Sequence, residues 1–206
     1  MPILWSEAGG IAERLALPGA PNSGPHSGQH WARAVLEERR RLIPLDTLLA
    51  PGALAHLVIA QPRPLEPAEN VGLDAWVRGG GHLLLFADPL LTAESRFALG
   101  DPRRPADTVL LDPLLAHWGL VLRPGDPARE TAGRPFPVSA PGELALLAGS
   151  PEACRIEQAG LVADCRIGRG TALIVADAAL LDAAEGPAAA ACGRTLRRLM
   201  QRAFRR

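Results

Sequence analysis

The predicted fold depends on residues 67–89, PAENVGLDAWVRGGGHLLLFADP. The first half has the apolar spacing of a helix, with Leu73 and Val77 on one face. Three consecutive glycines end that helix, because glycine adopts a positive φ without strain. The apolar run at 82–87 then indicates a strand that is covered on both faces. This strand ends at Asp88.

A second apolar run just upstream completes a strand–helix–strand unit. Residues 57–60, LVIA, are typical of a short buried strand, and the loop QPRPLEP follows. Two strands joined through a helix in this way are parallel neighbours. Ligands of such sheets bind beyond the carboxyl ends of the strands, which makes Asp88 a candidate site residue. Residues 171–176, TALIVA, repeat the buried-strand pattern and stop at Asp177.

Weaker patterns predict the remaining elements. Strands are expected at 2–5, 42–45, 120–122, 143–147 and 161–167, and helices at 30–40, 112–118 and the arginine-rich end of the chain. Stretches rich in proline and glycine near 91–108 and 123–142 indicate irregular insertions. At 206 residues and 48% hydrophobic content, the chain fits a single domain, 1–206, with a sizeable core. The expected architecture is a three-layer α/β sandwich with a mostly parallel sheet and helices on both faces.

The composition excludes several kinds of chemistry. All 22 basic residues are arginine, and lysine and tyrosine are absent. The chain therefore has no P-loop lysine, no Schiff-base lysine and no phenolic acid–base group. The formal net charge is +0, so no overall field draws the protein to nucleic acid or anionic lipid. No apolar run is long enough for a membrane span, and no secretory signal precedes the first strand.

The cysteines predict neither a metal site nor a redox pair. Cys154, Cys165 and Cys192 are too few and too widely spaced for a zinc ribbon or a CxxC motif. Their odd number favours a reducing compartment, or buried thiols in any compartment. We therefore expect a cytoplasmic protein from the chain as it stands. A chain that opens directly on its first core strand is also compatible with an anchor further upstream.

The acids at the strand ends are the main candidates for a binding site. A third predicted strand is followed by Ser6 and Glu7, in addition to the two that end in acids. If these strands are parallel neighbours, Glu7, Asp88 and Asp177 gather at one edge of the sheet and form a polar pocket for a cation or small polar ligand. The alternative is that each aspartate accepts N–H groups from the turn that follows it, which is the commoner role.

Other polar residues give weaker indications. His26 and His30 are four apart, as in helical zinc sites, but no further ligands accompany them, so we predict no metal. Arg103 and Arg104, in the loop GDPRRP, are candidates for contact with an anion or an acidic partner. The arginines of the last helix fit a solvated face better than an adaptor for phosphate-bearing surfaces. No dinucleotide fingerprint is present, and we predict no cofactor.

Three motifs occur in an order that is typical of a known family: GGGHLLLFADPLL, DPLLAHWGL and IGRGTALIVADAALL. They resemble segments of the class I glutamine amidotransferase-like domains of GldG-type auxiliary proteins of ABC transporters, over residues 57–181. The resemblance implies a flavodoxin-like fold and protein partners among transporter subunits. It also implies membrane contact only through partners or an anchor. The alternative to a cytoplasmic location is then the periplasmic side of the inner membrane.

This chain departs from the catalytic amidotransferases at the nucleophile. Those enzymes hold a cysteine on a tight strand-to-helix turn, where backbone N–H groups stabilise the oxyanion. Here Cys154 lies in EACRI, Cys165 in a predicted strand and Cys192 in an alanine-rich stretch. The sequence therefore predicts a non-catalytic domain that binds a ligand or a protein partner within an ABC transport system. The alternative is a hydrolase that uses the carboxylates at the sheet edge, with or without a metal.

Overall fold

The structure, a computed structural model, describes most of the chain. The described residues are 2–4, 31–38, 41–52, 54–93, 98, 106–125, 136–149, 153–182 and 186–205. Its strands are β1 (Pro2–Leu4), β2 (Ile43–Leu45), β3 (His56–Ala60), β4 (His82–Phe86), β5 (Leu120–Pro124), β6 (Gly142–Leu146), β7 (Ala153–Glu157), β8 (Val162–Ile167) and β9 (Gly170–Val175). Its helices are α1 (Trp31–Glu37), α2 (Pro67–Arg78), α3 (Asp112–His117) and α4 (Pro187–Ala203), with a 3₁₀ turn at Ala179–Leu181.

The strands form a large mixed sheet and a small antiparallel one. The large sheet has the order β2-β1-β3-β4-β9-β8-β7. Strands β2, β1, β3, β4 and β9 are parallel to one another. Strand β8 runs antiparallel to β9, and β7 runs antiparallel to β8. Strands β5 and β6 pair antiparallel as a separate two-stranded sheet.

The prediction of a mostly parallel, flavodoxin-like three-layer sandwich is therefore wrong. The physical reason is the length of the connections at one end of the large sheet. Residues 158–161 join β7 to β8, and Gly168 and Arg169 join β8 to β9. Turns as short as these produce antiparallel hairpins, because a parallel return needs a crossover of a dozen residues or more. Strand β7 was not predicted at all, since ACRIE has no continuous apolar run and lies partly exposed at the sheet edge.

The two apolar runs that dominate the sequence are neighbours at the centre of the large sheet. Strand β4 pairs with β9 in parallel register, with Leu84 opposite Leu173 and Phe86 opposite Val175. The side chains of residues 83–86 are 0% exposed. Helix α2 and the glycines after it lie where the sequence predicts them. The stretch 67–89 thus forms the centre of the molecule.

Helices pack on both faces of the large sheet. On one face, Leu73 of α2 and Leu115 of α3 belong to the same buried cluster as the odd-numbered side chains of β4. On the other face, Val35 of α1 and Leu196 of α4 pack with Phe86. Within the parts of the chain that the structure describes, no helix is both long and apolar enough to span a bilayer.

Helix α2 begins at a buried carboxylate that the sequence analysis overlooked. Glu69, only 2% exposed, receives the N–H of Glu66 at 3.0 Å and the N–H of Leu48 at 3.2 Å. The guanidinium of Arg63 donates to both of its oxygens, at 2.7 and 2.8 Å. This pairing lowers the pKa of Glu69 to about 2. The spacing of Glu69 three residues after Glu66, with Pro67 between them, is a capping-box pattern and was the available signal.

Candidate functional site

The two strand-end aspartates lie side by side at the carboxyl edge of the large sheet. Asp88 is the second residue after β4, and Asp177 is the second residue after β9. Because Phe86 lies opposite Val175, the two chains leave the sheet at the same height. Asp88 is 1% exposed and Asp177 is 0% exposed. The structure therefore brings these two predicted site residues together, but it buries both.

Both carboxylate oxygens of Asp88 accept backbone N–H groups. Oδ1 accepts the N–H of Leu90 at 2.9 Å, in the turn that follows the strand. Oδ2 accepts the N–H of Ala178 at 3.1 Å, in the loop that leaves the neighbouring strand. Burial nevertheless raises the pKa of Asp88, because removal from water disfavours the charged form more than the two donors favour it. Asp88 thus ties two loops together.

Asp177 has an equivalent pair of partners. Its Oδ1 accepts the N–H of Ala179 at 2.7 Å, and its Oδ2 accepts the N–H of Ser139 at 2.9 Å. Burial, together with the negative charge of Asp88, raises the pKa of Asp177 to about 7. The Ser139 bond links the carboxyl end of β9 to the segment just before β6. The structure therefore assigns both aspartates the turn-stabilising role that was the commoner alternative.

Gln61 is a third buried polar residue at this edge, and sequence reasoning missed it. Its Nε2 donates to the carbonyl oxygens of Asp88 and Ala106, each at 3.0 Å. Its Oε1 accepts the N–H of Asp88 at 2.9 Å. The backbone of Gln61 has a φ of 45°, which is uncommon for a residue other than glycine. The only sequence signal was its position directly after the buried run LVIA.

These three side chains close the carboxyl edge with the protein's own groups. A general acid or base has to reach a proton of the substrate directly or through one water molecule. Each oxygen of Asp88 and Asp177 already receives a backbone N–H, and neither side chain is exposed. The arrangement is suited to holding loops in place.

The remaining predicted site residues lie outside the described part of the chain. These are Ser6, Glu7, Arg103 and Arg104, together with His26 and His30. Among the residues that the structure describes, no group of three or more His, Cys, Asp or Glu side chains is placed to hold a metal ion.

A histidine pair lies at the opposite, amino end of the parallel strands. His56 and His82 are partners in register on β3 and β4, and their rings stack with centroids 5.6 Å apart. The Nδ1 of His82 lies 2.8 Å from the hydroxyl of Thr171. The ring of Phe204, just after α4, lies at 75° to that of His56, with the two centroids 4.8 Å apart. These contacts give His82 a structural role, and its pairing with His56 was not predicted.

Two of the three cysteines are bonded to each other rather than present as thiols. Cys154 on β7 and Cys165 on β8 are cross-strand partners and form a disulfide, with their Cα atoms 4.0 Å apart. Cys192, on α4, is a buried free thiol, and burial raises its pKa. None of the three has the exposed, activated position of a nucleophile.

The arginines of α4 are only partly solvated. The Nε of Arg197 lies 2.9 Å from both carboxylate oxygens of Glu38. Arg202 binds Glu157 on β7 at 2.7 Å and Asp164 on β8 at 2.9 Å. Arg202 departs from the expected solvated face, because acids of β7 and β8 face it and its side chain is only 25% exposed. Arg197 pairs with Glu38 at the exposed surface.

A groove lies between the end of α1 and the C-terminal half of α4. Its volume is about 460 Å³. The lining residues combine an apolar floor with polar walls: Val35, Glu38, Arg197, Met200, Gln201, Phe204 and Arg205. This concavity is far in sequence from the strand-end aspartates and was not predicted.

Comparison with known proteins shows similarity in fold only. No protein-family model and no curated protein matches the sequence. The exo-β-1,4-mannosidase Op5Man5 from Opitutaceae bacterium strain TAV5 is 15% identical, with a TM-score of 0.55, over 100% of this chain and 36% of that chain. A catalytic mutant of Gan42B, a GH42 β-galactosidase from G. stearothermophilus, is 14% identical, with a TM-score of 0.53, over 97% of this chain and 28% of that chain. Neither comparison supports the predicted flavodoxin-like sandwich.

Proposed function

We propose that this chain is a non-catalytic domain that binds a ligand or a protein partner, as an auxiliary part of a larger assembly. The proposal depends on Asp88 and Asp177, whose four carboxylate oxygens all accept backbone N–H groups. These acids were the residues on which a hydrolase would have relied. Buried and bonded to the loops, they act on stability rather than on a substrate.

The similar solved structures are much longer than this chain. The chain covers 36% of the mannosidase and 28% of the β-galactosidase, so it spans much less than half of each. A fold of this kind therefore occurs inside longer chains that have further parts. The transport context rests on the three sequence motifs that resemble GldG-type proteins, with transporter subunits as the partners.

The disulfide supports the periplasmic alternative for the location. Disulfides persist in oxidising compartments and are rare in the cytosol, where thiols are kept reduced. The bond between Cys154 and Cys165 joins two strands of the main sheet. We therefore favour the periplasmic side of the inner membrane over the cytoplasm.

Hydrolysis assays test the non-catalytic part of the proposal. We expect the wild-type protein, Asp88→Asn and Asp177→Asn to leave p-nitrophenyl β-mannoside, p-nitrophenyl β-galactoside and p-nitrophenyl acetate at the background rate. The two sugar substrates correspond to the mannosidase and the β-galactosidase that are similar in fold. Turnover by the wild type that is lost in a folded Asp177→Asn variant would replace the proposal with the carboxylate hydrolase.

Co-purification tests the transport context separately. If the neighbouring genes encode an ATPase and a permease, their products should co-elute with this chain in detergent after co-expression. Separate elution of all three proteins would remove the transport context and leave the non-catalytic role to be judged by the hydrolysis assays.

A further inference from the structure

The groove between α1 and α4 has an apolar floor. Val35 is 7% exposed and Phe204 is 9% exposed, and Met200 lies partly buried beside them. The ring of Phe204 is fixed from behind by its contact with His56. The floor is therefore an apolar surface that is mostly buried, and Met200 is its more accessible part.

The walls of the groove carry an excess of positive charge. Among the described residues, Glu38 is the one acid that lines it, and Arg197 already binds both of its oxygens. Arg205 lines the same groove and is exposed, and the described part of the chain provides it with no carboxylate partner. Arg198 lies on the same exposed stripe of α4, which adds to the positive potential. Charge complementarity therefore calls for an anion.

The size of the groove favours a small molecule over a protein. Its volume of about 460 Å³ falls within the range of roughly 300–1,000 Å³ that small-molecule pockets occupy. A specific protein interface uses roughly 20–30 residues on each side, which is far more than the residues that line this groove.

We propose that this groove binds a small organic carboxylate, with its apolar body on Met200 and Phe204 and its carboxylate on Arg205. The side chain of Glu38 on Arg197 shows how a carboxylate docks here, with both oxygens facing one guanidinium. The site is separate from the strand-end aspartates, and the inference does not depend on the role proposed above.

The two methionines of the chain provide the measurement. Only Met1 and Met200 are present, so labelling the methionine methyl groups with ¹³C gives one probe in the groove and one internal reference. Sodium hexanoate should shift the Met200 signal saturably and leave the Met1 signal in place. Hexylammonium chloride, which has the same apolar body and the opposite charge, should not shift it. If hexanoate does not shift the Met200 signal, or if both compounds shift it equally, the proposal is overturned.

A pair of arginine variants, one just after α4 and one within it, tests the position of the anion. Arg205→Gln should weaken hexanoate binding about tenfold or more, because it removes a charge-assisted hydrogen bond. Arg194→Gln is the matched control, since Arg194 is also exposed on α4 but does not line the groove. Equal losses in the two variants would show a non-specific charge effect and would refute the site. The ¹H spectrum of each variant confirms that it is folded.

Discussion

At the scale of single residues, two buried carboxylates of this protein have pKa values that are shifted in opposite directions. Asp177 is surrounded by neutral backbone donors and by the charge of Asp88, so burial raises its pKa to about 7. Glu69 is equally buried, but the guanidinium of Arg63 lowers its pKa to about 2. A single counter-charge decides whether a buried acid holds its proton or releases it.

The raised pKa of Asp177 makes stability depend on pH. Between pH 3.8, near which an unfolded aspartate releases its proton, and about pH 7, the folded protein binds more protons than the unfolded chain. The free energy of unfolding should therefore fall as pH rises through this range, by up to about 4 kcal/mol. Asp88, whose pKa burial also raises, acts in the same direction. Urea denaturation from pH 4 to pH 8 measures this slope.

The variant Asp177→Asn should remove most of that slope, because the amide does not titrate. Asp112→Asn, at an exposed position on α3, is the control and should leave the slope in place. A wild-type protein that gains stability as pH rises from 4 to 7 would contradict the raised pKa.

The partners of these side chains could not be read from the sequence. The buried runs before Asp88 and Asp177 predicted that each acid ends a strand. Which donors meet the oxygens depends on contacts far apart in the chain: Ser139 is 38 residues from Asp177, and Gln61 is 27 residues from Asp88. A local sequence pattern does not predict contacts between residues so far apart in the chain.

At the scale of the elements, the start of α2 depends on one carboxylate. Glu69 joins Arg63 to two backbone N–H groups in a buried site. Glu69→Gln should lower the free energy of unfolding at pH 7 by about 2 kcal/mol, because the group that accepts these hydrogen bonds is then no longer charged. The expected loss is measured by urea denaturation.

Lowering the pH should reduce the free energy of unfolding in the same way as this substitution. Since the pKa of Glu69 is lowered from 4.5 to about 2, its contribution is present above pH 4.5 and is lost as pH falls towards 2. Glu143→Gln is a suitable control, because Glu143 is exposed and makes no ion pair within the described residues. If Glu69→Gln and Glu143→Gln are equally stable, the buried pair does not secure the helix.

Two helical glycines allow a matched test of packing. A Cβ at Gly72 of α2 would clash with the carbonyl oxygen of Leu48 and come within 3.0 Å of that of Leu49. A Cβ at Gly193 of α4 would meet Val35 at 3.4 Å, which is an ordinary contact. Alanine favours a helix by about 1 kcal/mol over glycine, whereas a clash in a packed site costs roughly 1–3 kcal/mol.

Gly193→Ala should therefore raise the melting temperature, and Gly72→Ala should lower it. Differential scanning calorimetry gives both values. A higher melting temperature for Gly72→Ala would show that the loop at residues 46–50 can move to accommodate the added methyl group and does not fix the position of α2.

The central elements were predictable because each has a strong local pattern. Apart from His82 and Thr171, strands β4 and β9 are apolar and buried on both faces, and α2 has both apolar periodicity and a glycine stop. Strand β7 has no such pattern, since its burial comes from pairing with β8 and from Arg202. Edge elements of this kind are defined by their neighbours.

At the scale of the whole molecule, the antiparallel end of the large sheet is cross-linked twice. The disulfide joins β7 to β8, and Arg202 of α4 binds Glu157 and Asp164 on the same two strands. The disulfide closes a loop with a sequence separation of 11 residues. By the chain-entropy model, a loop of this length stabilises the folded state by about 3 kcal/mol.

Reduction should therefore weaken the wild-type protein. Dithiothreitol is expected to lower the midpoint of urea denaturation by an amount equivalent to about 3 kcal/mol. The double variant Cys154→Ser and Cys165→Ser should start at the lower value and should not respond to dithiothreitol. A wild-type midpoint that is the same with and without reductant would contradict this contribution.

The polar network at the carboxyl edge has a consequence for the exchange of surface segments. At this edge, loop segments are held by side chains that follow other strands. Gln61, after β3, donates to the carbonyl oxygen of Ala106, and Asp177, after β9, accepts the N–H of Ser139. Replacing any one of these segments with that of a related protein would leave buried donors or acceptors at the other strands without hydrogen-bond partners. We expect related proteins to differ in all of these segments together, and chimaeras with a single foreign segment to fold poorly.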